Sequence, residues 1–292
     1  MFKRIKKYLE KHTLKELFSL VDVHYGFGAL ETLFFGNWIN PFYTVWLNLR
    51  SFPLLQAIRF PILVYGHPRL YCLSGDMRIE GPVSFGMIKF NQTRAGAPSL
   101  MSVQSELNNR GHIIFHGKGC IGTGTRIVVA PGKTFEIGKS FIIADFCNIG
   151  IFNRVSIGDK FRFAHRCQLF DSNYHYVANF RKRVVPQYIK PIKIGNGCWI
   201  CNSTTITAGA VIPDYTIVAS NSLVGKNYSD LPADSLIGGI PAKLITNGVR
   251  RIMNPEIERI VGGFYKENSD EIFNIRELDT PDLYSSMPYE NK

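Results

Sequence analysis

A step of six residues runs through most of this chain. From Ile194 the positions Ile194, Ile200, Ile206, Ile212, Val218 and Val224 are all β-branched aliphatics. Four residues after successive members stand Cys198, Thr204, Ala210, Thr216 and Ser222, all small. The step recurs upstream as Phe115, Ile121, Ile127, as Ile137, Ile143, Ile149, and as Ile157, Phe163, Leu169, with a weaker start at Ile79 and Phe85. Six is neither the helical period nor the alternation of an ordinary strand. It is the mark of a hexapeptide β-helix, in which each hexad makes one short strand and one corner. Three hexads close a triangular coil of about 18 residues, and coils stack at the strand spacing of about 4.8 Å. The fold class expected is therefore an all-β solenoid.

The repeat assigned to residues 76–245 divides the chain. A loop at 171–191 fits no hexad and interrupts the solenoid. Residues 1–75 read as a helical and then irregular extension: Phe2 to Leu20 is amphipathic and Lys-rich, and Pro41, Pro53, Pro61 and Pro68 follow. Residues 246–292 read as a short helix near Pro255 to Val261 and a polar tail.

Three stretches carry a family resemblance. IGNGCWICNSTTI at 194–206, IVASNSLVGK at 217–226 and IGGIPAK at 237–243 resemble the motifs of hexapeptide-repeat acyltransferases. The kinship is with maltose, galactoside and serine acetyltransferases and with polysaccharide O-acetyltransferases. Ala219 and Asn221 stand where that family usually has glycine, and Cys201 replaces another. The resemblance implies a left-handed parallel β-helix, assembly as a homotrimer with each site between two subunits, and acetyl coenzyme A as co-substrate.

It also implies roles. His175, at the start of the loop, corresponds to the catalytic base. A sugar hydroxyl is a poor nucleophile at neutral pH, and an imidazole can take its proton. Asp171 is placed to orient that ring, or else to bind sugar or cap a turn. Asn202 is the candidate donor to the carbonyl oxygen. Trp199 is expected beside the thioester. Ala208, Gly209, Ala219 and Ser220 are expected on one wall as a groove for the pantetheine arm. Lys226 and Lys243 are expected at the phosphates, and Asn173, Tyr174 and Arg181 at the acceptor. His112, His116 and His165 fall on the repeat or its edge and are weaker candidates.

Other readings stay open. The acceptor could be an amino sugar or small amine, making the enzyme an N-acetyltransferase. The same solenoid also serves trimeric zinc carbonic anhydrases, but the close histidine pairing is lacking. A non-catalytic scaffold is a further alternative. The formal charge of +11 suits an anionic partner. No aromatic-basic pattern marks nucleic-acid binding. The basic start, Lys3, Arg4, Lys6 and Lys7, would also allow peripheral contact with an anionic membrane. Cys198 and Cys201 spell C-x-x-C, yet Cys147, Cys167 and Cys198 share one inward slot of the repeat, so they read as small core residues. Free thiols suit a reducing cytoplasm. No cleavable leader or spanning helix is expected.

Overall fold

The computed structural model describes residues 38–92 and 103–275. Two units are distinguished, residues 1–249 and 250–292. In the first, parallel strands stack into three sheets that form the faces of a triangular prism. Face one holds nine strands from Ile62–Val64 to Ala242–Asn247, face two seven from Arg69–Leu73 to Leu223–Val224, and face three six from Asp76–Ile79 to Val211–Ile212. The parallel β-helix expected from the repeat is the fold class found.

The hexad explains the core. Ile149, Leu169, Ile206 and Val224 pair in register up face two, each fully buried. The small slot is as deeply buried: Thr204, Ala210 and Thr216 are closed to solvent. Cys147, Cys167 and Cys198 fill it lower down, and each thiol donates to a carbonyl of the coil above, those of Ala164, Cys201 and Pro213. Burial pushes the Cys198 thiol up to about 12 and that of Cys167 up to about 11. Cys72 is lowered, chiefly by its hydrogen bond to Ser74. A disulfide reagent at pH 8 should therefore label Cys72 within minutes and leave Cys147 and Cys198 unmodified until denaturant is added. Mass spectrometry of the tryptic peptides checks this.

Corners follow a second rule. At the edge between faces three and one, a carboxylate or amide oxygen in each coil accepts the backbone N–H of the corner below. Asp159 Oδ1 takes Lys139 N, Asn196 Oδ1 takes Asp159 N, and Asp214 Oδ1 takes Asn196 N, all at 2.8–2.9 Å. Close approach of these groups is why glycine stands in the corner each one reaches: a Cβ on Gly195 would lie 2.3 Å from Asp214 Oδ1. At the edge between faces one and two, Phe146, Arg166, Ser203 and Asn221 all adopt left-handed backbone near φ 60. Asn221 thus adopts the conformation for which glycine is the usual residue.

Strand stacking begins at Ile62, within the segment expected to be irregular. The prolines there do not abolish structure. Pro41 opens helix α1 (Pro41–Ser51), whose N-cap Asn40 accepts from Tyr43 N, and Pro53 precedes the short α2 (Leu54–Ala57). Proline is tolerated at a first helical turn. Of the weak starting pair, Ile79 is buried, but Phe85 is 70% exposed on the turn between faces three and one and belongs to no core layer. The expected helix at Phe2 to Leu20 lies outside the described residues.

At its last coil the solenoid ends in a hairpin, Ser235–Gly239 antiparallel to Ala242–Asn247. The second unit contains helix α3 (Pro255–Glu267), capped by Asn254 and closed on a small cluster of Ile257 with Ile252, Ile260, Val261 and Phe273.

Candidate active site

The loop at 171–191 leaves the edge between faces two and three, directly after the strand Gln168–Phe170, and returns at Ile192–Ile194. Its base is closed. Ser172 bridges Ile189, Lys190 N donates to Asp171 O, and Asn173 N donates to Tyr188 O. Farther out, Asn179 and Val184 pair around a turn, with Lys182 N bonded to Asn179 Oδ1.

Asp171 is fully buried, and both its oxygens are taken: Oδ1 accepts Phe152 N at 2.6 Å and Oδ2 accepts Asn153 N at 2.8 Å. It repeats on this edge the corner device seen at Asp159 and Asp214. The carboxylate therefore holds the loop to the coil below, and no hydrogen bond joins it to His175. Of the roles open to it in the sequence, the structure selects the turn. Burial raises its pKa, opposed by the two amide bonds. Replacing Asp171 by Ala should cost about 1–3 kcal/mol for each orphaned amide. Urea unfolding of the variant measures that loss.

Tyr174, expected at the acceptor, has its ring against the scaffold, 4.7 Å from that of Phe152 and 6.0 Å from that of Phe170. Burial, then Asp171, raises its phenol. It anchors the loop, so its part toward an acceptor is at most that of its exposed half. His175 comes next, exposed, with no hydrogen bond to its ring within the described chain. Asn173 and Arg181 are likewise exposed.

The other candidates fall on two different edges. Ala208 and Gly209 form the corner above the loop, and Lys226 stands one coil higher in the same stack, where Val211 N meets Lys226 O. Lys190 from the loop base lies over Gly209, its Cδ 3.2 Å from where a Cβ would be. Asn202, Ala219 and Ser220 instead form the edge between faces one and two, with Asn221 N bonded to Asn202 O. Trp199 lies beside that edge on face one, half-buried, in register with Arg162 and Ile217. The expectation of a single wall for Ala208, Gly209, Ala219 and Ser220 is thus corrected. Residues stack when they are about 18 apart, and the separation of these pairs is not such a step. Face two lies between the two edges.

Lys226 and Lys243 are exposed and have no carboxylate partner among the described residues. Lys243 lies on the closing hairpin opposite Gly238. His112 and His116, by contrast, are paired on face three, with Asp76 at 2.8 Å and Glu136 at 3.0 Å. Among the described residues no cluster of three metal-ligating side chains exists, and no helix is long and apolar enough to cross a membrane.

Sequence reasoning missed the clamp formed by Asp171 with Phe152 and Asn153. Its signal was present in the chain. Aspartate or asparagine recurs just beyond the aliphatic at Asp159, Asn196, Asp214 and Asp171, at the place where a corner amide needs an acceptor.

No family model matches the chain. Over 116 residues it is 31% identical to galactoside O-acetyltransferase of Escherichia coli, a match covering 39% of this chain and 54% of that protein. The chain thus spans about half the length of that relative. It is 21% identical over 183 residues to the putative lipopolysaccharide biosynthesis O-acetyl transferase WbbJ of Escherichia coli, covering 60% of this chain and 89% of the relative. Among solved structures, the polysialic acid-specific acetyltransferase NeuO superposes with a TM-score of 0.48 at 16% identity, covering 66% of this chain and 86% of that one. In its repeat and in these two sequence matches, the chain is similar to hexapeptide-repeat acetyltransferases.

Proposed function

We propose that this protein transfers an acetyl group from acetyl coenzyme A to a hydroxyl of a saccharide, with His175 as the general base. The observation that carries the reading is His175 itself: an exposed imidazole, uncommitted within the chain, on a loop whose base is clamped by Asp171 and Tyr174. The named activities of the two Escherichia coli relatives support the same reaction class.

Acetyl coenzyme A supplies the activated acyl group as a thioester. His175 takes the proton of the acceptor hydroxyl while that oxygen bonds to the carbonyl carbon. The carbon–sulfur bond then breaks, and the proton returns to the departing sulfur. Asn202 is suited to donate to the carbonyl oxygen as charge builds there. The small residues Ala219 and Ser220 leave room for a narrow arm along their edge, beside Trp199. Ala208 and Gly209 keep the corner above the loop open. Lys226 and Lys243 offer unpaired charges for phosphates. Asn173 and Arg181 face outward where an acceptor would come.

Because the histidine loop and the Asn202 edge are separate in one chain, the reading takes the family's homotrimer as its working form. The loop of one copy meets the neighbour's edge there. The place of reaction is the cytoplasm, where free thiols persist. The test is thiol release from acetyl coenzyme A in the presence of sugars, nucleotide sugars and amino sugars. Hydroxyl-dependent release is expected. Release that requires a free amine would make the protein an N-acetyltransferase. A protein that neither binds nor consumes acyl coenzyme A would be a scaffold.

A further inference from the structure

Helix α1 is amphipathic in the wrong sense for a water-facing helix. Its buried side is largely polar: Thr44, Asn48 and Ser51 face inward with Leu47. Asn48 and Thr44 cap the open edge of the first strand of face one. Asn48 Nδ2 donates to Ile62 O, Ile62 N donates to Asn48 Oδ1, and Val64 N donates to Thr44 Oγ1, at 2.7–3.1 Å. An edge strand needs such cover, and here side chains supply it. The cost is that the apolar residues of the helix point away from the solenoid. Phe42 is 82% exposed and Trp46 61%, and Leu49, Leu54, Leu55 and Ile58 continue the surface across α1 and α2. Six exposed large apolar side chains on two consecutive helices mark a candidate binding surface.

The charges around it narrow the partner. Arg50 and Arg59 are exposed within the patch and unpaired with any carboxylate among the described residues. From residue 38 to residue 75 the chain has no Asp or Glu at all. The segment that precedes the patch carries Lys3, Arg4, Lys6, Lys7, Lys11 and Lys15 against Glu10, Glu16, Asp22 and Glu31, and so stays net basic. Aromatic and aliphatic side chains rimmed by arginine, without acidic residues, match an anionic bilayer surface. Tryptophan is favoured at that interface.

We propose that the outer surface of α1 and α2 docks this end of the solenoid on an anionic lipid bilayer. The inference does not depend on the proposed reaction. The experiment is flotation of the full-length protein with vesicles of phosphatidylcholine alone and with phosphatidylglycerol added. Wild type should float with the anionic vesicles at least tenfold more strongly than with the neutral ones, less so as salt rises. Phe42→Ser with Trp46→Ser should lower that binding about tenfold or more. Both side chains are exposed, so the melting temperature should hold. Arg50→Glu with Arg59→Glu should weaken binding to anionic vesicles only. Tryptophan emission should shift to the blue on vesicle addition, and Trp46→Phe should remove the shift.

Three results would overturn the proposal. One is wild type that stays in solution with both vesicles. Another is a serine variant that floats like wild type, which would move any anchor to residues 1–37. The third is a change of sedimenting mass in lipid-free buffer on serine substitution without a change in vesicle binding, which would give the surface to a second copy.

Discussion

His175→Ala is expected to lower kcat/KM for acetyl transfer by about 10²–10⁴, the range for loss of a general base. The fold should be untouched, because the ring is exposed and bonded to nothing in the described chain. Binding of coenzyme A, read by calorimetry, should change little, since the proposal gives the imidazole to the acceptor hydroxyl and not to the coenzyme. His112→Ala should leave turnover as it is, because that ring is paired with Asp76 on face three. A His175→Ala enzyme with full turnover on a good acceptor would remove the histidine from the mechanism while leaving the solenoid intact.

The largest expected effect on stability lies lower in the prism. Phe141 is buried and stacks on Phe115, with ring centroids 5.9 Å apart. Its ring also lies over Gly119, its partner in register, so closely that a Cβ there would come within 2.0 Å of Cε1. Phe141→Ala should cost about 3–5 kcal/mol, as large-to-small changes of a buried ring do. Gly119→Ala should cost about 1–3 kcal/mol by overpacking. In the background of Phe141→Ala the second cost should largely vanish, because the atoms it collides with are gone. Denaturant unfolding of both single variants and the double variant closes the cycle. Additive costs would show that the cost of Gly119→Ala arises from something other than the Phe141 ring.

Much of the fold was legible because one physical demand repeats. Each coil must bury one aliphatic per side and turn three times, so Ile194 through Val224 announce their places. Where the chain departs from the rule, the signal fades. Phe85 kept the spacing by chance and is exposed. The strand Ile62–Val64 follows Pro61 in a stretch rich in proline, and its edge is capped by Asn48 from a helix that the prolines seemed to forbid. The candidate site was legible in its parts but not in its arrangement. His175 and the small residues were named from the family resemblance that the motifs at 194–206, 217–226 and 237–243 carry. The edge on which each sits depends on position within the coil, and Ala208 and Ala219 fall on different corners for that reason. For Asp171 the sequence left the histidine, a sugar and a turn open, and the buried carboxylate gives its bonds to the amides of Phe152 and Asn153.

The closed base of the loop has an evolutionary reading. Leu169 and Ile206 stay in register below and above the excursion, as do Val155, Ile192 and the strand beyond them. Everything from Asn173 to Tyr188 hangs from that seam without contributing a rung to the ladder. Such a segment can be lengthened, shortened or exchanged between relatives at little expense to the spine that carries it. Selection for a new acceptor would therefore be expected to rewrite the pendant sequence first, while the coils beneath preserve the address at which it is attached.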